Sequence, residues 1–125
     1  MSVRSVLLVL GLFIITSNSY AATAIVEWDN PVEREDGTPL PLSEIAYTKV
    51  MWGSCTSTGG LGTVQGQVNV PSPSNLVELQ NIPAGTYCFA ATTVDTEGQE
   101  SVLSNVASKQ FNKSRPKGPR IKGIR

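Results

Sequence analysis

Short β-prone segments separated by turn residues are the feature that most restricts the fold of this chain. Residues 63–70 (TVQGQVNV) show it most clearly, because valines and polar residues alternate there with a period of two. The other segments are residues 23–28, 45–53, 75–82, 86–94 and 100–109. Runs rich in Gly, Pro, Ser or acidic residues separate them, and helical periodicity is absent. This pattern predicts one all-β sandwich of about six strands.

The first 21 residues differ in composition from the rest of the chain. One basic residue, Arg4, precedes an unbroken apolar run at 6–15, and the small residues Ser19 and Ala21 precede a cleavage position before Ala22. This order is typical of a secretory signal peptide. As a helix the apolar run would rise about 15 Å, about half of a bilayer's hydrocarbon core, so a membrane-spanning segment is the less favoured interpretation. We assign residues 1–21 as a signal peptide or a short N-terminal apolar segment.

Charge divides the remaining chain into an acidic body and a basic tail. Residues 22–111 carry ten acidic and three basic side chains, whereas residues 112–125 carry six basic and no acidic ones. The basic residues of the tail are Lys113, Arg115, Lys117, Arg120, Lys122 and Arg125. Its Gly and Pro content predicts a flexible segment. The tail can bind an anionic surface or polymer through charge alone, fold back onto the acidic body, or stay solvated, and the sequence leaves these three interpretations open.

The absence of histidine from the chain argues against catalysis and against zinc binding. Histidine is the commonest general base and the commonest zinc ligand. The sequence also lacks a serine–base pair, a nucleophile elbow and a phosphate-binding loop. Its two cysteines lack the spacing of a zinc site. We therefore expect a protein that is not an enzyme and that has no cofactor and no bound metal.

The order of motifs along the body resembles a fibronectin type III domain. The resemblance is carried by VEW at 26–28, the corner IPAGTY at 82–87 and SNVASK at 104–109. It is closest to the single-domain secreted proteins of bacteria and their phages. The resemblance implies a fibronectin type III, immunoglobulin-like sandwich over residues 22–111, with a tyrosine corner in which the hydroxyl of Tyr87 bonds back to the backbone. The predicted core comprises Trp28, Val50, Trp52, Val77, Leu79, Ile82, Tyr87, Phe89 and Ala91.

The resemblance also implies a disulfide bond between Cys55 and Cys88. The family's topology makes the strands at 45–53 and 86–94 antiparallel neighbours. If Trp52 and Tyr87 point inward, alternation directs both cysteines outward at the same end. Opposed residues on such strands lie within about 4.5–5.5 Å at Cβ, and a secreted route supplies oxidising conditions. The alternative is two unpaired thiols.

The family's first strand is short or missing here, which would leave the strand at 23–28 as an exposed edge. We expect either the tail segment RIKGIR or a strand from a partner chain to pair with that edge.

In the same topology, two acidic loops lie at one pole of the sandwich. Their residues are Glu33, Glu35, Asp36, Asp95, Glu97 and Glu100, which we call the acidic cluster. Carboxylates of this kind bind hard cations, but the spacing matches no calcium loop. The remaining interpretations are a contact surface for a basic partner and an ordinary solvated surface.

Together these features predict a non-catalytic interaction or structural module that is secreted, periplasmic or exposed on the cell surface. A component of a phage virion, or one encoded by a prophage, is a leading form of this hypothesis. We expect a protein partner, no specific nucleic-acid motif, and membrane contact only if residues 1–21 are retained. The alternative is a carbohydrate- or cell-wall-binding accessory module. Trp28 and Trp52 are both assigned to the core, so no aromatic platform for a sugar is evident.

Overall fold

The computed structural model describes residues 20–112 and 115–125 of the chain, so the apolar run at 6–15 and Lys113 lie outside the described residues. The strands are β1 (Ala22–Glu27), β2 (Ile45–Cys55), β3 (Leu61–Pro71), β4 (Leu76–Ile82), β5 (Gly85–Asp95) and β6 (Ala107–Phe111). They form two antiparallel sheets, one of order β1–β4 and one of order β3–β2–β5–β6. The predicted all-β sandwich is confirmed.

The hydrophobic core lies between the two sheets. Its buried members are Ala24, Val50, Val70, Leu79, Ile82, Tyr87, Phe89 and Phe111. Every residue of the predicted core is either among these or packed against them, with Trp28, Trp52, Val77 and Ala91 partly buried at the margin. The sequence prediction lacked three buried members: Ala24, Val70 and Phe111.

Trp52 lies across the neighbouring strand β3, where Gly66 leaves room for it. A Cβ atom at residue 66 would overlap the indole nitrogen of Trp52, so that position requires glycine for this packing. The indole also meets the ring of Tyr87 edge to face, with 5.1 Å between the ring centroids. Strands β3, β2 and β5 are therefore joined by the packing of Trp52 across them as well as by their backbone hydrogen bonds.

The sixth strand begins later than the sequence predicts, at Ala107 rather than at residue 100. Residues 101–106 still run beside β5. Serine hydroxyls there accept some of the β5 amides that the backbone of a regular strand would accept. The hydroxyl of Ser104 accepts the amide proton of Ala91 at 2.9 Å, and the hydroxyl of Ser101 accepts that of Thr93 at 2.9 Å. Each serine also donates its own amide to the same β5 residue. The β5 backbone is therefore satisfied without a regular strand opposite it.

Cys55 and Cys88 form the predicted disulfide bond, with their Cα atoms 5.1 Å apart. In the β2–β5 register Cys88 lies opposite Gly53, two residues before Cys55. The β2–β3 register shifts on both sides of Gly53. Cys88 is almost fully buried on the outer side of its sheet. The bond fixes the irregular end of β2 to β5.

Strand β5 runs the length of the sandwich and defines its two ends, which we call the Gly85 end and the Asp95 end. At the Gly85 end, Gly85 pairs with Phe111 of β6, and Ala22 of β1 pairs with Ile82 of β4. The tail therefore leaves the body at the end where β1 begins. The acidic cluster belongs to the opposite, Asp95 end. In the part of the chain that the structure describes, no helix is long and apolar enough to cross a membrane.

Candidate functional site

The loop between β1 and β2 forms a small hairpin that presents three of the six acidic side chains. Leu40 donates its amide to the carbonyl of Val32 at 2.9 Å, and Glu33 forms an isolated bridge with Pro39. At the tip, Gly37 has a φ of 87° and its amide donates to the carbonyl of Arg34 at 2.8 Å. Glycine adopts this left-handed conformation without steric strain. Glu33, Glu35 and Asp36 are all exposed on this hairpin.

Asp36 stabilises the hairpin tip rather than extending freely into solvent. Its Oδ1 accepts the backbone amide of Thr38 at 3.0 Å and the hydroxyl of Thr38 at 2.7 Å. The hydroxyl bond is the largest influence that holds the pKa of Asp36 below its ordinary value. Asp36 is therefore ionised at neutral pH.

Asp95 organises the second loop, which follows β5. Its Oδ1 accepts the backbone amides of Glu97 at 3.0 Å and Gln99 at 2.8 Å, and its carbonyl accepts the amide of Gly98. The side chain of Asp95 is only 5% exposed. It therefore serves mainly to close the turn and presents little of its charge at the surface, and its place among the partner-contact residues stays a prediction.

Arg34 joins the two loops. Its guanidinium donates to Oδ2 of Asp95 at 2.9 Å and to Oε1 of Glu44 at 2.9 Å. Arg34 lies on the hairpin, Asp95 at the end of β5, and Glu44 just before β2. The planar guanidinium can satisfy two carboxylates at once because its donors point in fixed directions. This contact holds the hairpin tip against the sheet.

The charge on Arg34 also governs the protonation of its partner. The hydrogen bond from Arg34 is the largest influence that lowers the pKa of Asp95, and the backbone amides of Gln99 and Glu97 act in the same direction. In return, the two carboxylates raise the pKa of Arg34 above its ordinary value. Arg34 and Asp95 are therefore both charged at neutral pH.

Glu100 is engaged in a separate contact on the outer face of the large sheet. It accepts the hydroxyl of Thr92 at 2.7 Å and pairs with the ammonium group of Lys49 at 3.1 Å. The hydroxyl bond is the first cause of the lowered pKa of Glu100, and Lys49 adds to it. Glu100 thus fixes the start of the segment that leads to β6.

The two loops enclose a groove of about 450 Å³ at the Asp95 end. The hairpin lines it with Glu33, Arg34, Glu35 and Asp36, and β5 with the segment after it lines it with Thr93, Asp95, Gln99, Glu100 and Ser101. The charge of Arg34 is matched there by Asp95, so the carboxylates remain in excess. Pro31 and Leu40 add apolar surface, and Leu40 is buried. The groove therefore combines carboxylates with a short apolar wall. Glu97 is exposed on the same loop but does not line the groove.

Of the six residues in the acidic cluster, three are thus committed to internal contacts and three are not. Asp36, Asp95 and Glu100 hold turns or strands in place. Among the described residues, Glu33, Glu35 and Glu97 form no salt bridge. The arrangement supplies negative charge at a fixed position. Among those residues no group of three or more Asp, Glu or Cys side chains is placed to hold a metal ion.

Sequence reasoning did not find Arg34, Glu44 and Lys49, the residues that position the acidic cluster. Arg34 lies 61 residues from Asp95 along the chain, so no local pattern reports their contact. The available signal was the single basic residue within the acidic run EREDG.

The remaining predicted site residues lie away from this groove. Arg115, Lys117, Arg120, Lys122 and Arg125 are exposed on a tail that contains no strand at 115–125. Within the described residues β1 pairs with β4 alone, so the segment RIKGIR does not cover the β1 edge.

The tyrosine corner and the two tryptophans have the local geometry that the sequence predicts. The hydroxyl of Tyr87 donates to the carbonyl of Ala84 at 3.1 Å. Trp28 packs against the core and donates its indole N–H to Asn30 at 3.0 Å. Trp52 is engaged with Tyr87, so neither indole forms a free platform for a sugar ring.

Comparison of the chain with protein-family models, with curated proteins and with solved structures finds no significant match. The disulfide bond is compatible with an extracellular location, because such bonds persist in oxidising compartments.

Proposed function

We propose that this protein is a non-catalytic interaction module, secreted or exposed on a surface, that binds a basic protein partner at the Asp95 end. The observation that supports the proposal is the groove between the braced loops. It combines the carboxylates of Glu33 and Glu35 with an apolar wall at Pro31 and Leu40. A lysine or arginine side chain matches both features, because its methylene stem is apolar and its head is cationic.

The bracing by Arg34 adds to this argument. A binding loop that is already ordered loses less conformational entropy when a partner docks. The contacts of Arg34 with Asp95 and Glu44 order the hairpin without using the charges of Glu33 or Glu35. A partner can therefore bind Glu33 and Glu35 without disrupting the contacts of Arg34 with Asp95 and Glu44.

The biological setting follows from the resemblance and the N-terminal segment. A fibronectin type III module with a signal peptide would act outside the cytoplasm, and a virion or prophage-encoded surface component is the form we propose. Mass spectrometry of culture medium, cell-surface fractions and purified virions tests this setting. Recovery of the mature chain only from the cytoplasm would contradict it.

The binding site is tested with a tri-arginine peptide as the probe, followed by amide chemical shifts in NMR spectra. We expect the shifts to concentrate at Leu40, Gln99 and Ser101. The double change Glu33→Gln and Glu35→Gln should weaken binding at least about fivefold, in line with the loss of two attractive charges at fixed positions. The matched control is Glu27→Gln with Glu78→Gln, which removes two exposed charges from the β1–β4 sheet. Equal losses in both variants would refute the site.

A further inference from the structure

We infer that the open edge of β1 is a self-association surface that pairs with β1 of a second copy around a two-fold axis centred on Ile25. This inference is independent of the groove at the Asp95 end. It rests on the backbone directions, the side chains and the charges of the β1 edge.

The backbone of β1 leaves one row of polar groups unpaired within the described residues. Trp28 donates its amide to Asn75, and the same register pairs Val26 with Val77 and Ala24 with Leu79. In an antiparallel ladder the residues between such pairs direct their N–H and C=O groups to the other side. Those residues are Thr23, Ile25 and Glu27. Their donors and acceptors therefore face the open edge.

These three residues are also self-complementary. When two β1 strands run antiparallel with Ile25 opposite its copy, Thr23 lies opposite Glu27 and Ala24 lies opposite Val26. Every outward N–H and C=O of the three edge residues then meets a partner group on the other copy. No two like charges are opposed, whereas a two-fold centred on Glu27 would place two carboxylates together.

The apolar side chains favour the same register. Ile25 is 66% exposed and Leu76, diagonal to it on β4, is 47% exposed. Pairing at Ile25 would join these side chains with their copies in one continuous apolar strip across the outer face. On the inner side, a groove of about 500 Å³ runs between β1 and β6, with Phe89 and Ala107 in its lining. Ala24 and Val26 of the second copy would lie on that side.

The edge of β6 is less open to an added strand than the edge of β1. Lys109 lines the groove, and the register places it opposite Tyr87, so its side chain is on the inner face of the sheet. An inward-facing lysine on an edge strand opposes simple strand addition there. On the β1 edge the charged side chain is that of Glu27, and the two-fold axis at Ile25 places it opposite the neutral Thr23.

The test begins with sedimentation velocity over a concentration series on the purified full chain with its disulfide bond intact. We expect a reversible monomer–dimer equilibrium. Ile25→Lys should weaken association at least about tenfold, because it opposes two ammonium groups across the axis. The matched control is Val102→Lys, since Val102 is an apolar residue on a different surface and is 73% exposed, against 66% for Ile25. This control should associate like the unaltered chain.

Cysteine cross-linking then tests the register. Opposed residues of a hydrogen-bonded pair have Cα atoms about 5.5 Å apart, which is within reach of a disulfide bond. Ile25→Cys should therefore cross-link to itself. Thr23→Cys and Glu27→Cys should cross-link when mixed but not when each is oxidised alone.

Three results would overturn the inference. One is a chain that stays monomeric throughout the series with no cross-link at Ile25→Cys. Another is self-cross-linking of Thr23→Cys as efficient as that of Ile25→Cys, which would mean a different register. The last is a chain ending at Phe111 that dimerises while the full chain does not, because the protein's own tail would then cover β1.

Discussion

The two ends of β5 are held by different forces. At the Gly85 end the strand is fixed by apolar packing of Phe111 and Tyr87, by the disulfide bond of Cys88 and by one neutral hydroxyl bond. At the Asp95 end it is fixed by an arginine between two carboxylates and by backbone amides that donate to Asp95. Apolar packing does not depend on protonation, whereas the carboxylate contacts do. The sandwich should therefore have one end that is insensitive to pH and one that responds to it.

The strongest way to test the Gly85 end is to remove its buried ring with Phe111→Ala. Phe111 is 4% exposed, and its ring centroid lies 6.2 Å from that of Phe89 and 6.3 Å from that of Tyr87. We expect a loss of about 3–5 kcal/mol in the free energy of unfolding, as for other buried phenylalanines. A urea titration measures it. The control Val102→Ala, at an exposed site, should change stability by no more than about 0.5 kcal/mol. A loss below about 1 kcal/mol for Phe111→Ala would mean that this ring is not part of the core.

A smaller change at the same end isolates the hydroxyl group. Tyr87→Phe keeps the ring and removes only the bond to the carbonyl of Ala84. We expect a loss of about 1 kcal/mol, the usual net value of such a bond. The loss should be the same at pH 7 and pH 3, because the bond joins a hydroxyl group to a backbone carbonyl and involves no carboxylate. Urea titrations at the two pH values measure this loss. A loss that varies with pH would contradict the proposed difference between the two ends.

The Asp95 end is tested with Asp95→Asn, for which we expect the smallest of the three effects at neutral pH. Asparagine keeps an oxygen for the amides of Glu97 and Gln99 and replaces Oδ2 with an NH2 group, which cannot accept from Arg34. The side chain of Arg34 is 32% exposed and keeps its contact with Glu44. Partly exposed ion pairs contribute little because solvent screens them. The informative quantity is therefore the dependence of this effect on pH.

The sign of that dependence follows from the lowered pKa of Asp95. A carboxylate whose pKa is depressed by folding stabilises the folded state fully above the ordinary value of about 3.9. That contribution is lost as the pH falls from there through the lower, folded value. The stability difference between the unaltered chain and Asp95→Asn should thus shrink as titrations move from pH 7 to pH 2. Asp29→Asn serves as an exposed control, and a constant difference would contradict the proposed role of Asp95.

The sequence predicts the large sheet well because its strands have strong local signals. Residues 63–70 alternate, and residues 86–94 place Tyr87 and Phe89 on the inner face, where the structure has them. Residues 100–109 carry a comparable signal but form a strand only from Ala107. The hydroxyls of Ser101 and Ser104 replace backbone acceptors there, and a pattern of side chains does not distinguish the two modes of pairing.

The candidate site is less predictable than the fold. The resemblance brings the acidic loops to one end, but the roles of the individual carboxylates depend on contacts between distant residues. Asp95 and Glu33 look alike in the sequence, yet one is buried against Arg34 and the other faces solvent. Ala24 is absent from the predicted core because its small side chain contributes little to the hydrophobic pattern of the sequence.

The position of Ala22 and Phe111 at the same end of the sandwich has a mechanical consequence. A pulling force applied between these two residues acts across the sandwich rather than along its strands. The hydrogen bonds of β1 with β4 and of β6 with β5 would then break one after another, starting at the end where the force is applied. The bond between Cys55 and Cys88 limits how far the remaining strands can separate. The body would therefore yield at low force at its two outer strands while the β2–β5 pair stays together.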